Sequence, residues 1–105
     1  MKKIEKLVRD NIPSICKYNG QETNIRILAG PEYTLELRKK LKEEVKEYLL
    51  SNELEELADI VEVIEALAED QGSDLMEIMR IKQEKQHANG AFKKKVYLIS
   101  VEDVY

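Results

Sequence analysis

Two pairs of carboxylates hold the most suggestive chemistry in this sequence: Glu44-Val-Lys-Glu47, and Glu56-Leu-Ala-Asp59 a few residues later. Acids three residues apart are neighbours on one face of a helix, and Glu43 sits beside the first pair. Like charges so placed destabilise a helix by roughly a few tenths of a kcal/mol unless a cation lies between them. An all-oxygen, highly charged ligand set suits a hard ion, Mg²⁺ or Mn²⁺, better than zinc, which prefers His or Cys. Because Mg²⁺ keeps several waters and bridges to phosphates, the matching ligand is a polyphosphate. The competing reading leaves Glu44 and Glu56 paired with Arg or Lys from the third helix or the chain ends.

The elements that must position the acids are helices. From Glu32 to Leu50 the residues Leu37, Leu41, Val45, Tyr48 and Leu49 recur at helical spacing. Ser51-Asn52 breaks the pattern, with Asn52 as the expected cap of a second helix running to about Asp70. At about 100° per residue, Leu54, Leu57, Ile60, Val61, Val63, Ile64 and Leu67 cover an arc of about 180° on that helix. Glu56 falls inside the arc and Asp59 just beyond its edge, while Glu55 and Glu62 point away. On the first helix Glu44 lies beside the apolar seam, with Glu47 further round. A short turn makes the two helices antiparallel neighbours, so both pairs can converge on one cleft.

Elsewhere, Asp10 and Pro13 predict the start of a short helix ending near Gly20. Gly30-Pro31 is a break, Gly72 a helix C-terminus, and Ser73 the start of a third long helix closed by Gly90. Residues 25–28 and the β-branched run Lys95 to Val101 predict short extended pieces or strands. The fold class is therefore mainly α, an antiparallel helical hairpin with further helices, in one domain spanning residues 1–105.

Charge and composition exclude several functions. The net charge of -4 argues against general nucleic-acid binding, which needs a basic footprint. Glu47 to Met79 holds eleven acids and no Lys or Arg, whereas Arg80 to Lys95 holds six basic residues against Glu84. An acidic middle is thus flanked by basic ends, which fits either a solvated acidic helix balanced by neighbouring cations or a cation site with basic arms for an anionic ligand. No apolar run approaches the roughly 20 residues that span a bilayer. The basic start lacks the apolar segment of a secretion signal, and lone Cys16 suits a reducing compartment as a small buried hydrophobe. The expected location is the cytoplasm.

At the paired acids the sequence resembles the all-α nucleoside triphosphate pyrophosphatases, the MazG-like and phosphoribosyl-ATP-pyrophosphatase-like superfamily, in which an ExxE pair precedes an ExxD pair. Lys6-Leu-Val-Arg-Asp-Asn-Ile-Pro13 is similar to the opening of a small house-cleaning subfamily. The run from Glu55 to Leu67 is similar to its second metal helix, and Gly90-Ala-Phe-Lys93 to its C-terminal element. The resemblance implies Glu44, Glu47, Glu56 and Asp59 as Mg²⁺ ligands and catalytic carboxylates. It implies hydrolysis between α- and β-phosphates, giving a monophosphate and pyrophosphate, by a homodimer or homotetramer. Arg9 and Lys93, in matched motifs, are the candidate phosphate contacts. The chain departs from the pattern in two places: eight residues separate Glu47 from Glu56, fewer than usual, and the run Ala88 to Phe92 lacks an expected Arg.

The close enzymatic alternative is a phosphoribosyl-ATP-like substrate. The alternative from another class is a catalytically silent helical interaction protein. His87, Lys94 and Lys95 read as ordinary surface residues, and Tyr48 as core.

Overall fold

The computed structural model describes residues 2–104; Met1 and Tyr105, which the expected 1–105 domain includes, lie outside the described residues. The elements are α1 (Ile12–Tyr18), α2 (Gly30–Ser51), α3 (Leu54–Asp70) and α4 (Leu75–Asn89). Among the described residues none forms a strand.

α1 starts one residue later than the Asp10 cap implies, with Asn11 at the N-cap. The Ile12 amide already donates to the Arg9 carbonyl at 3.1 Å, so the chain turns at Asp10 before the helix begins. Pro13 occupies the first turn as expected, where its missing N–H costs nothing. Cys16 is half-buried, more open than a small core residue.

α2 and α3 form the antiparallel hairpin. The expected role of Asn52 is corrected: it closes α2 instead of opening α3. Asn52 adopts the left-handed conformation at φ 59°, which asparagine tolerates, and its amide donates to the Tyr48 carbonyl at 2.8 Å. Glu53 takes the N-cap of α3, and its amide donates to Ser51 Oγ at 3.1 Å. Two residues therefore suffice to reverse the chain. At the other end of α3 the Ser73 amide donates back to Ala68 O and the Gly72 amide to Glu69 O. That closure needs a positive φ at Gly72, here 84°.

Leu37, Val63 and Ala68 are buried in the seam of the hairpin. The wide apolar arc of α3 is only partly covered. Val63 is 7% exposed, whereas Leu54, Leu57 and Val61 remain open at 81%, 38% and 46%. On α2, Leu49, one of the recurring apolar positions, is 68% exposed, and Val45 also stays open. One partner helix shields less than half a circumference, so a 180° arc cannot be closed by a hairpin.

The chain divides into two compact units, Met1–Leu75 and Met76–Tyr105. In the second, α4 carries an Arg80–Glu84 ion pair at 2.6 Å and is followed by a turn over Phe92–Lys95. Of the strand or extended alternatives expected at 25–28 and 95–101, the strands are absent. Ile27, Val96, Tyr97, Ile99 and Val101 are all exposed, and β-propensity without a pairing edge forms no ladder. No helix among the described residues is long and apolar enough to cross a membrane.

Candidate functional site

The hairpin register places the acids. Thr34 near the start of α2 hydrogen-bonds Asp70 at the end of α3, 2.6 Å apart. Ten residues on along α2 stands Glu44, and eleven back along α3 stands Asp59. The same register therefore sets Glu44 against Asp59, with Glu47 and Glu56 a turn nearer the reversal. One carboxylate oxygen each from Glu44, Glu56 and Asp59 lies within 4.8 Å of the other two. Glu47 is exposed and stands outside this closest set, but its charge acts on both Glu44 and Glu56.

Glu44 is the unusual member. It is 7% exposed, the depth of the core residues beside it. Its Oε1 lies 3.5 Å from Lys40 Nζ, while its Oε2 is buried with no hydrogen-bond partner among the described residues. Buried carboxylate oxygens are normally paired, because desolvation otherwise costs several kcal/mol. Burial, then the neighbouring Glu47 charge, pushes the Glu44 carboxyl above the ordinary glutamate range, and Lys40 opposes the shift. Glu56 is pushed the same way, by desolvation first and then by Glu47, Asp59 and Glu44. Part of this crowding is offset by the helix ends. Glu56 lies in the first turn of α3, where the backbone dipole favours negative charge. Glu47 approaches the C-terminus of α2, where the dipole disfavours it and the last turn holds no basic residue, though the Lys6 charge acts on it.

Basic side chains approach from the segment before α1. Arg9 Nη2 donates to Asp59 Oδ1 at 2.6 Å, and Nη1 lies 3.8 Å from Glu62 Oε1. Lys6 Nζ donates to Glu43 Oε1 at 2.8 Å, which holds the Glu43 carboxyl below its usual range and raises the Lys6 ammonium. Lys40, its side chain 16% exposed, reaches Glu43 as well as Glu44. The chain matches no protein-family model, no curated protein and no solved structure. The geometry is thus the ground on which the site must be judged.

Of the residues singled out in the sequence, Glu44, Glu56 and Asp59 converge, Glu47 flanks them, and Arg9 joins them through an ion pair. Lys93 is exposed in the turn after α4, within the second unit. The sequence reading missed Lys6 and Lys40. Lys40 had a legible signal, standing four residues before Glu44 on the same helix. Lys6 heads the Lys6–Pro13 motif, but no local pattern says that the N-terminal segment returns to Glu43 on α2.

All the donors at the centre are carboxylate oxygens, closely set, one of them buried and unpaired. A hard divalent ion fits that set, and a soft one does not.

Proposed function

We propose that this protein is a magnesium-dependent nucleotide pyrophosphohydrolase that cleaves a small nucleoside triphosphate, non-canonical ones included, to a monophosphate and pyrophosphate. The observation that supports it is the unpartnered Glu44 Oε2, buried where Glu56 and Asp59 converge. Glu44, Glu56 and Asp59 would hold Mg²⁺ (or Mn²⁺), with Glu47 completing the set. Mg²⁺ there would neutralise phosphate oxygens and make an attacking water more acidic. The chain's own residues bind and orient. The four carboxylates fix the site on two helices, Lys40 tempers the charge of Glu44, and Arg9 takes an anionic oxygen of the substrate. Lys93 is a second phosphate contact on the strength of its motif. The choice of a nucleotide rests on the motif resemblance across residues 6–13, 44–67 and 90–93.

A house-cleaning role follows from the same resemblance, as does assembly into a homodimer or homotetramer, while lone Cys16 suits a reducing cytoplasm. The open stripe of Leu54, Leu57 and Val61 on α3, with Leu49 on α2, supports assembly, since exposed apolar patches of this kind mark contact surfaces.

The silent interaction protein is favoured by the Arg9–Asp59 pair, which shows that protein cations can serve these acids. A panel of nucleotides with and without Mg²⁺, scored for pyrophosphate against orthophosphate, separates the readings. Pyrophosphate release that requires Mg²⁺ supports hydrolysis between α- and β-phosphates. Orthophosphate release, or no turnover on any nucleotide, refutes it. A magnesium titration of thermal stability complements the panel: a metal site raises stability by mass action, and a mere docking surface does not.

A further inference from the structure

Lys6 and Arg9 straddle the carboxylate group, yet they meet different kinds of partner. Lys6 binds Glu43, which is outside the converging set. Arg9 binds Asp59, which is one of its three members. A guanidinium keeps its charge at all working pH values and suits carboxylate and phosphate equally well. The pair is also open to exchange, because the Arg9 and Asp59 side chains are 54% and 38% exposed. Exposed ion pairs are weak and easily traded for another partner. Glu62, 3.8 Å from the other arm of the guanidinium, keeps Arg9 beside the site when Asp59 is given up.

We infer that Arg9 is a resident counter-cation of the carboxylate site, competing with a divalent ion for Asp59 and turning to a phosphate oxygen of the nucleotide once that ion is bound. The inference rests on the metal-dependent reading above and adds to it a coupling between the two ligands. Arg9 opposes metal binding in the absence of nucleotide and favours nucleotide binding in the presence of metal. Coupling of this kind is reciprocal, so nucleotide also tightens metal binding through Arg9.

The test is Mn²⁺ or Mg²⁺ binding to the full chain by calorimetry, with and without a non-hydrolysable nucleoside triphosphate analogue. Arg9→Gln is compared with Lys6→Gln, which removes the same charge from the same segment; circular dichroism checks that both fold. Arg9→Gln is expected to bind the metal alone about five-fold more tightly, the effect of deleting an exposed competing ion pair. The metal-loaded variant is expected to bind the analogue about ten-fold more weakly or worse, as a charge-assisted contact to phosphate is lost. Lys6→Gln should change metal affinity distinctly less. Equal tightening in both variants overturns the inference, because a general field effect then suffices. Unchanged or weaker metal binding in Arg9→Gln overturns it while leaving the metal site standing. If neither the native chain nor any variant binds metal, the metal-dependent reading fails along with it.

Discussion

Thr34 Oγ1 donates to Asp70 Oδ2 across the open end of the hairpin, 2.6 Å apart, and so ties the register that faces Glu44 with Asp59. The bond lies far along both helices from the two-residue reversal at Asn52-Glu53. A hairpin held at both ends cannot slide by a turn without breaking one of them. Thr34→Val keeps the shape and removes the donor. It is expected to cost about 1 kcal/mol, the usual net worth of such a hydrogen bond. For a chain this size the melting temperature should drop by about 4 °C. Urea unfolding checks the value, and an unchanged midpoint would deny the bond any part in fixing register.

Glu44→Gln tests the central carboxylate. The amide has nearly the same shape but lacks the charge that burial and Glu47 disfavour. The metal-free variant should therefore melt higher than the native chain. Mg²⁺ should no longer raise its melting temperature, and hydrolysis should fall by about 100-fold or more, beyond the loss typical of residues that only support a ligand. Glu56→Gln should move all three readouts in the same directions. Full turnover in both variants would show that these residues are not the ligands.

Much of this site was legible in the sequence because helical periodicity is a strong signal. The arc of α3 placed Glu56 toward the seam and Glu55 and Glu62 toward solvent, and they lie so. Glu44 beside Leu37 and Leu41 was read correctly as an acid at an apolar interface, though not as the most deeply placed one. What the periodicity could not give is how far an apolar arc is covered, since that depends on what packs against it. Val45 was placed in the seam and Leu54 in the apolar arc on pattern, and both lie exposed for that reason. The β-branched tail misled in a related way, as strand propensity acts through neighbours that residues 95–101 do not have. Asn52 was ambiguous by nature: asparagine serves both as an N-cap and as a left-handed helix end, and here the end of α2 claims it.

The pH dependence of metal-free stability should have an unusual sign just above the ordinary glutamate range. Glu44 and Glu56 are raised in the folded chain, so folding favours their protonated forms. What they contribute is gained as pH falls through their raised values and is lost as pH rises again. Glu43 is held low by Lys6, and its contribution is present above the ordinary glutamate value of about 4.3 and lost below it. As pH falls, metal-free stability should therefore first climb, where the raised Glu44 and Glu56 take up protons, and then drop once acids held low protonate. Mg²⁺ should flatten or reverse the upper limb, because metal and protons compete for the same oxygens. Denaturant midpoints at several pH values, with and without Mg²⁺, measure both limbs. A metal-free stability that only falls on acidification, with no rise just above the ordinary glutamate range, would contradict the crowding of Glu44 and Glu56.

Assembly is testable through the apolar surface that the hairpin leaves open. Leu54, Leu57 and Val61 recur along one stripe of α3, and Val45 and Leu49 along α2. These side chains contribute little to the hairpin seam, so charges placed there should spare the helices while opposing any contact that buries the stripe. The native chain is expected to sediment as a dimer or tetramer, and the double variant Leu49→Glu, Val61→Glu as a monomer with unchanged helical content. The variant's dissociation constant should rise by about 100-fold or more, since two unpaired charges at a closed apolar contact cost several kcal/mol. Sedimentation velocity across a wide concentration range reads the outcome. A native chain that remains monomeric throughout would show that the stripe stays open to water, and the assembly would be lost from the proposal while the carboxylate site, built within one hairpin, would stand.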